Sequence, residues 1–419
     1  MTTTSASTRY ADRLARARQE LVARGIDALL LGPSADLRYL TGYAAPLLER
    51  LTMLVVPANG DPRLVVPALE AALAHEQLGD VPLEVVAWRE TDDPVALVRA
   101  ALDASAVLDV SGASGERRRE VPASAPGDPA WPGGNPPVRG QRLAVGDRLW
   151  STFLLRLQAA MPNASFTVAS TVTRHLRMVK DEDELDALSR AAEAIDQVIE
   201  QLTELRWAGR SERDLAWELD QAIRAAGHDE TCFVIVGSGP NSASPHHEPG
   251  DRVIQPGDVV VVDIGGRLDG YCSDTTRTLV VGEPPEGFLE LYEALRYAQL
   301  AGCQAVRPGV AASAVDKACR DVIEQAGYGS YFIHRTGHGI GLEEHEDPYI
   351  VAGNDEPIAP GMAFSIEPGI YLPGKFGARI EDVVICPDPD LEPEPGPAGA
   401  QAGAFRLNRT SRKLRVVDA

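Results

Sequence analysis

Apolar residues in the first part of the chain follow helical and strand-like patterns in turn. They recur at helical spacing between Tyr10 and Leu21, and Gly25 can end that helix. Short apolar runs predict strands at 26–31, 51–56, 64–66 and 165–168, and helical patterns lie at 68–75, 94–102 and 151–160. Strands that alternate with helices are typical of an α/β domain with a mixed or parallel sheet.

The stretch 111–140 interrupts this pattern. It contains 6 Pro and 6 Gly in 30 residues, and so many breakers cannot form a regular element, so we expect a surface loop or linker insertion. A long charged helix is predicted to begin near Asp181. Because 419 residues are too many for one ordinary core, we place an N-terminal domain at 1–170 and a C-terminal domain at 171–419.

The second half contains a weak internal repeat with an offset of 100 residues. The segments 209–227 and 309–327 are both helix-like and both end in Ala-Gly. A strand-like run follows each of them, at 231–236 and 331–333, and leads into a loop rich in His and Gly. A duplicated helix–strand unit with a pseudo-twofold axis would explain the match, but any two amphipathic helices can align this well.

Composition and charge exclude some classes of partner. The formal net charge of −21 argues against nucleic acid and anionic membranes, which both attract positive surfaces. The first 20 residues lack the apolar segment of a signal peptide, and no apolar run reaches the length of a membrane span. Five scattered cysteines without a CxxC pair fit a reducing compartment, so we expect a cytoplasmic protein.

Two acidic residues lie in a predicted hairpin. Asp263 follows four valines, and Asp274 comes after a turn predicted at Leu268-Asp269, five residues from each acid. Directly opposed residues have Cβ atoms about 4.5–5.5 Å apart. Carboxylates at that distance repel each other unless cations lie between them, and two divalent ions about 3.5–4 Å apart would fit. Taken alone, such a pair is more typical of two solvated turn acids.

The C-terminal part contains a second pair of acids. Glu367 and Glu381 each lie seven residues from Gly374, so a hairpin centred on that glycine would bring them together. Arg379 lies two residues before Glu381 and therefore on the same face of its strand. It could orient a metal-binding carboxylate, although a surface ion pair is the alternative interpretation.

Histidines concentrate in the two loops that follow the repeated units. Five of the eight lie there: His246, His247, His334, His338 and His345. A lone histidine is usually structural, but five of them beside four strand carboxylates favour a metal site. The glycines that surround His338 would let the backbone approach a ligand closely.

Several motifs resemble those of the pita-bread metallopeptidases of the creatinase/prolidase branch. These are the Xaa-Pro aminopeptidases, the Xaa-Pro dipeptidases or prolidases and, more distantly, the methionine aminopeptidases. The motifs are VVVVDIGG, YCSDTTRT, HRTGHGIGLEEHEDPY, SIEPGIY and GARIEDVV in the second half and GIDALLL, RYLTGY and LRMVKDEDEL before them. The resemblance implies an N-terminal creatinase/prolidase-type α/β domain and a C-terminal α+β, pseudo-twofold pita-bread catalytic domain.

The resemblance also implies roles for the matched residues. The metal ligands would be Asp263, Asp274, His338, Glu367 and Glu381. Glu367 would in addition carry a proton, and Arg379 would support a ligand. His246 and His345 would bind substrate and stabilise the tetrahedral intermediate, and His334 would be a further pocket histidine. His247 matches no family role, so we expect it to be structural.

The implied activity is hydrolysis of the Xaa-Pro bond in dipeptides or short peptides, with a prolidase slightly favoured over an aminopeptidase P. Two divalent ions would be needed, and an oxygen-rich shell with one imidazole suits Mn²⁺, with Co²⁺, Zn²⁺ or Fe²⁺ as alternatives. The resemblance also implies a homodimer or homotetramer. The alternatives are a metal-free creatinase-like amidinohydrolase and a non-catalytic pita-bread binding module, although such proteins typically lack the ligand set.

Overall fold

The computed structural model describes residues 6–107, 140–388 and 403–419. The chain divides into two compact units, Met1–Leu176 and Arg177–Ala419. The predicted insertion at 111–140 lies outside the described residues except for Gly140, as does most of the acidic stretch after Cys386. Within the described ranges, no helix is long and apolar enough to cross a membrane.

Helices and strands alternate in the N-terminal unit, as the apolar pattern predicted. The helices described up to residue 178 are α1 (Ala6–Arg24), α2 (Ala35–Thr41), α3 (Ala71–Leu78), α4 (Pro94–Val107), α5 (Ser151–Ala160) and α6 (Ser170–Met178). The strands are β1 (Ala28–Leu31), β2 (Met53–Pro57), β3 (Arg63–Pro67), β4 (Glu84–Trp88), β5 (Arg142–Val145) and β6 (Ser165–Val168). Both lists reproduce the predicted elements and add α2, α6, β4 and β5.

These strands form a mixed sheet of order β4-β3-β2-β1-β5-β6. The central strand β1 pairs antiparallel with β2 and parallel with β5, and all four of its residues are buried. The edge strand β4 is buried only at Trp88. This strand was not predicted from the sequence, although Val85 to Trp88 form an apolar run.

The C-terminal unit is a mixed α+β structure. Its helices are α7 (Glu182–Gln201), α8 (Glu212–Ala225), α9 (Phe288–Ala305) and α10 (Ala312–Gln325). Its strands are β7 (Glu230–Ser238), β8 (Val259–Leu268), β9 (Tyr271–Cys272), β10 (Thr275–Val281), β11 (Gly337–Gly339), β12 (Glu346–Ile350), β13 (Ala363–Ile366), β14 (Gly369–Leu372), β15 (Phe376–Arg379), β16 (Asp382–Ile385), β17 (Phe405–Arg406) and β18 (Arg415–Val417). The strands form one sheet of β18-β10-β8-β7 with β9 beside β8, a second of β12-β11-β13-β16-β17, and the ladder β14–β15.

The predicted repeat is present in the backbone of this unit. Three pairs of equivalent backbone hydrogen bonds have donors 100 residues apart. The bond from Gly209 N–H to Ile254 O corresponds to the bond from Gly309 N–H to Ile358 O, and the bond from Glu212 N–H to Arg252 O to the bond from Ala312 N–H to Glu356 O. The bond from Gly227 N–H to Arg224 O corresponds to the bond from Gly327 N–H to Glu324 O. Gly209 and Gly309 also share a left-handed backbone, with φ of 80° and 82°. Chance similarity between amphipathic helices does not produce matching loop bonds, so the two segments are copies of one unit.

The second copy departs from the prediction in one respect. The run 331–333 was predicted as a strand, and this is wrong. A 3₁₀ turn at Gly329–Tyr331 precedes an irregular segment, and Ile333 is 67% exposed. These apolar residues pair with no strand among the described residues, and the strand of this copy begins later, at β11.

A buried ion pair joins the two large sheets. The Arg277 guanidinium on β10 donates to Asp382 Oδ1 on β16 at 2.6 Å, and the two side chains are 1% and 0% exposed. The same guanidinium donates to the carbonyl oxygens of Thr276 and Glu381. It therefore binds the backbone of both strands where they adjoin, and its charge is compensated within the protein.

Replacing Arg277 by methionine should destabilise the fold. The Arg277→Met variant leaves the buried Asp382 carboxylate with one cation among the described residues, Arg406 at the longer distance of 3.5 Å, and the loss of one partner of a buried ion pair typically costs about 3–5 kcal/mol of unfolding free energy. Urea denaturation with a chelator present measures this directly. Arg190→Met is the control, because Arg190 forms ion pairs at the surface and its loss should change stability by only about 0.5 kcal/mol. Equal stability of the two variants would contradict the assigned role of the buried pair.

Candidate metal centre

Asp263 and Asp274 lie on a hairpin, but not directly opposite each other. The turn is at Asp269-Gly270, whose φ angles of 51° and 93° are those required by a tight type I′ turn. Thr276, not Asp274, is therefore the residue opposite Asp263. The predicted turn was misplaced by one residue, which shifted the partner by two. Asp274 lies two residues before Thr276. Since side chains alternate with a period of two, both side chains are on the same face.

The second hairpin has the predicted register. Gly369 pairs with Arg379 in the β14–β15 ladder, and Ile366 pairs with Asp382 in the β13–β16 ladder. Both ladders have the register that places Glu367 opposite Glu381, at the junction between them. Main-chain geometry thus sets these two carboxylates side by side, as the spacing from Gly374 predicted.

His338 is held in β11 between two glycines that the packing requires. A Cβ at Gly337 would lie 1.8 Å from Ser365 O, and one at Gly339 would lie 2.3 Å from Asp347 O. The His338 Nδ1–H donates to Gly339 O at 3.1 Å, which leaves Nε2 as the free ring nitrogen. A histidine whose other nitrogen is fixed in this way is oriented to ligate a metal.

The predicted ligands converge around that nitrogen. His338 Nε2 lies 3.2 Å from Glu367 Oε1 and 3.6 Å from Asp274 Oδ2. Asp274, His338 and Glu381 each offer one ligand atom, and these atoms lie within 4.8 Å of one another. Asp263 lies near the same acids, and its negative charge contributes to the raised pKa values of both Asp274 and Glu381. The structure therefore brings all five predicted ligands together.

The carboxylates of the cluster need nearby positive charge to be stable in their ionised form. Burial and the neighbouring carboxylates raise the pKa of Asp274 and of Glu381 well above their usual range. Burial also raises the pKa of Asp263, although Arg379 opposes the shift. At Glu367 burial acts in the same direction, but the hydrogen bond and charge of His338 outweigh it and lower the pKa to about 2.

Two buried oxygens test whether a metal fits. Asp263 Oδ1 and Glu381 Oε1 have no hydrogen-bond partner among the described residues. A buried acceptor without a partner is costly unless something else binds it. Carboxylate oxygens together with one imidazole are a donor set for hard or borderline divalent ions. The residues present therefore fit divalent cations.

Thr276 and Tyr371 support this site, and the sequence analysis missed both. Thr276 Oγ1 donates to Glu381 Oε2 at 2.7 Å and accepts from Arg379 Nε at 3.0 Å. Arg379 in turn donates to Asp263 Oδ2 at 2.5 Å and to the Tyr371 hydroxyl at 2.8 Å. Arg379 is thus buried beside a ligand, not in a surface ion pair. The correct hairpin register would have revealed Thr276, whereas no sequence signal indicated Tyr371.

The three predicted pocket histidines differ in their surroundings. His334 Nδ1–H donates to Arg335 O at 2.7 Å, and its Nε2 accepts from the Tyr371 hydroxyl at 2.9 Å. The His345 ring lies 4.0 Å from that of His338. The residue keeps an exposed surface, but partial burial together with the charges of His338 and Arg335 lowers its pKa to about 4. His246 is exposed, and its charge also acts on His345.

His247 has the structural role expected of it. Its Nε2–H donates to Glu212 Oε2 at 2.7 Å, and the Glu212 side chain is fully buried at the start of α8. The same carboxylate accepts from Ser238 Oγ at 2.6 Å and from Asn241 Nδ2 at 3.0 Å. Glu212 therefore anchors the loop that carries His246.

Comparison with known proteins agrees with this geometry. Residues 186–388 match the model of metallopeptidase family M24, and residues 13–121 match the creatinase/prolidase N-terminal domain. A protein named probable dipeptidase PepE, from Mycobacterium tuberculosis, is 47% identical over 410 residues, which cover 97% of this chain and 96% of that protein. The chain belongs to metallopeptidase family M24.

Other relatives carry related names. An Xaa-Pro dipeptidase from Lactobacillus delbrueckii subsp. lactis is 34% identical over 95% of this chain and 96% of its own length. The crystal structure of dipeptidase PepE from Mycobacterium ulcerans superimposes with a TM-score of 0.83 at 43% identity, over 99% of each chain. This member of family M24 is therefore an enzyme, a metallopeptidase. Family membership implies divalent metal ions, which disfavours the metal-free and non-catalytic alternatives.

Thr276→Val should weaken metal binding without unfolding the protein. The substitution removes the hydroxyl that orients Glu381, and the loss of such a support typically costs about 10–100-fold in metal affinity. Calorimetric titration with Mn²⁺ measures the change. Thr278→Val is the matched control on the same strand, because among the described residues the Thr278 hydroxyl bonds to the backbone of Arg379 and to no metal ligand. Unchanged affinity in Thr276→Val would contradict the role assigned to the hydroxyl.

Proposed function

We propose that this chain is a two-metal Xaa-Pro dipeptidase. The observation that carries the proposal is the convergence of buried carboxylates on His338 Nε2, with two buried oxygens left without a partner in the described structure. The proposed metal ligands are Asp263, Asp274, His338, Glu367 and Glu381. Two divalent ions, Mn²⁺ by preference, would lower the pKa of the attacking water and polarise the scissile carbonyl.

Glu367 is the proposed proton carrier. Its side chain is 15% exposed and can therefore be reached by water, and its Oε1 accepts from Ser365 Oγ at 3.0 Å. With a pKa of about 2 it is ionised at neutral pH. It would accept the proton that the attacking water loses and deliver it to the proline nitrogen as the C–N bond breaks. The nitrogen of an Xaa-Pro bond carries no hydrogen, so it needs this proton to leave.

His345 and His246 are the proposed donors to the oxygen on which negative charge develops. With a pKa of about 4, His345 is neutral at neutral pH and still has one N–H to donate. One well-placed donor of this kind contributes roughly 3–4 kcal/mol. Arg379 would keep Asp263 in place, and His334 would line the pocket through its bond to Tyr371.

The names of the relatives support a dipeptidase over an aminopeptidase. The mycobacterial and Lactobacillus proteins are named as dipeptidases, and the match extends over almost the whole length of both chains. All five cysteines are free thiols, which supports the expected cytoplasmic location. We further propose that the protein is a homodimer or homotetramer, as the resemblance implied.

Asp263→Asn should abolish both metal uptake and hydrolysis, because the amide removes a negative charge from the ligand set. Purified protein with Mn²⁺ is expected to cleave Ala-Pro and to leave Ala-Pro-Ala largely intact, as measured by the release of free amino acids. Asp269→Asn is the control, since Asp269 lies at the exposed tip of the same hairpin and pairs with Arg190. The proposal fails if neither peptide is cleaved, and the metal assignment fails if Asp263→Asn remains fully active.

A further inference from the structure

His345 has little support of its own at the metal-ligand cluster. Its ring lies against the His338 ring, with 4.0 Å between the centroids, and it forms no hydrogen bond with the described residues. The residue is also exposed. A donor must be held close to its productive geometry to act on a developing charge. The position of His345 therefore depends on the backbone of the segment that carries it, residues 343–346.

Arg177 binds that segment on both sides of the histidine. Its guanidinium donates to Glu343 Oε2 at 2.8 Å and to Glu346 Oε2. Glu343 lies two residues before His345, and Glu346 follows it directly as the first residue of β12. Lys180 adds a second cation, because its Nζ donates to Glu346 Oε1 at 2.6 Å and to the carbonyl oxygen of Arg177 at 2.8 Å. One guanidinium thus fixes both ends of the segment.

The four charged groups form a balanced network that is largely buried. The side chains of Lys180, Glu346 and Arg177 are only 1%, 7% and 10% exposed. Burial by itself would raise the pKa of Glu346, but the charges of Arg177 and Lys180 outweigh it and keep the pKa below its usual range. Apolar side chains of similar volume often stabilise a fold at least as well as a buried ion pair. The distinctive contribution of the network is therefore the fixed geometry of the segment.

The loop before Glu346 connects this network to the cluster. A Cβ at Gly341 would lie 2.6 Å from Glu346 Oε1, so the loop backbone packs directly against the carboxylate. The carbonyl oxygen of Gly341 accepts from Cys272 N–H at 2.8 Å, two residues before the predicted ligand Asp274. The loop that carries His345 is thus held between the charged network and the hairpin of Asp274.

We propose that Arg177 is a positioning residue, which holds His345 beside the metal-ligand cluster through Glu343 and Glu346. The inference rests on the proposed function, in which His345 donates to the oxygen where negative charge develops. Arg177 and Lys180 lie in the motif LRMVKDEDEL, whose residues had no assigned role. Because His345 acts on the transition state, the loss of its position should lower kcat and leave KM nearly unchanged.

The test measures kcat and KM for Ala-Pro with the Mn²⁺-loaded protein. In Arg177→Gln, kcat should fall about tenfold to a hundredfold because the donor is misplaced, while KM changes by less than about threefold. Arg177→Lys keeps the charge but cannot bind two acids with one planar group, so it should retain part of kcat. Glu343→Gln removes the more exposed of the two acids, whose side chain is 24% exposed, and should lower kcat by about three- to tenfold.

The His345→Ala background separates positioning from a general structural role. His345→Ala should itself lose kcat, and adding Arg177→Gln or Glu343→Gln should lower kcat by no more than about twofold further, because no donor is left to misplace. Arg210→Gln is the matched control, since Arg210 forms an ion pair with Glu218 at 2.5 Å in the same unit. It should leave kcat unchanged in both backgrounds.

Equal losses of kcat in the wild-type and His345→Ala backgrounds would overturn the inference, as would wild-type kcat in Arg177→Gln. If Arg177→Gln does not fold, Glu343→Gln decides between the two results. A fully active His345→Ala variant would overturn the inference and leave the dipeptidase activity standing, because the donor itself would then have no role. If the wild-type protein does not cleave Ala-Pro, the proposed function fails, and the inference fails with it.

Discussion

Repulsion among four closely spaced carboxylates, of which Asp263, Asp274 and Glu381 are buried, is the constraint on which the C-terminal unit depends. At an effective dielectric constant of about 20, two charges about 4 Å apart repel each other by about 4 kcal/mol. Within the cluster, Arg379 compensates only part of this charge, and burial together with the uncompensated charge raises the pKa values of Asp274 and Glu381. This concentration of negative charge is unfavourable for the protein without bound cations. The same charge gives the site its affinity for divalent cations.

The fold resists this repulsion through two copies of one helix–strand unit. In each copy an acid on the repeated helix holds the loop that follows. Glu212 on α8 binds the side chains of the loop with His246. Asp316 on α10 accepts from Thr336 N–H at 3.2 Å and from Arg320, whose guanidinium also holds the carbonyl of His334. Histidines from distant parts of the sequence therefore approach the carboxylates on rigid supports.

Local spacing predicted one hairpin correctly and misplaced the other, and the turns explain the difference. Around Gly374, which has a φ of 73°, the two strands pair without a bulge, so equal spacing on either side gave the correct partners. In the first hairpin the turn was centred on Leu268-Asp269. An Asp-Gly pair favours the positive φ angles of a type I′ turn, and it moves the turn to Asp269-Gly270. Thr276 thereby became the partner of Asp263.

The sequence by itself determined the donor residues, their order and, in the hairpin around Gly374, their pairing, because register depends on turn residues a few positions away. It also indicated the duplicated unit, which its local hydrogen bonds confirm. Only the tertiary structure decided contacts between distant segments, such as the bond from Thr276 to Glu381, 105 residues away, and the bond from Arg177 to Glu346, 169 residues away. Such distances depend on how sheets pack and on the buried pair of Arg277 and Asp382, and no spacing along the chain encodes them.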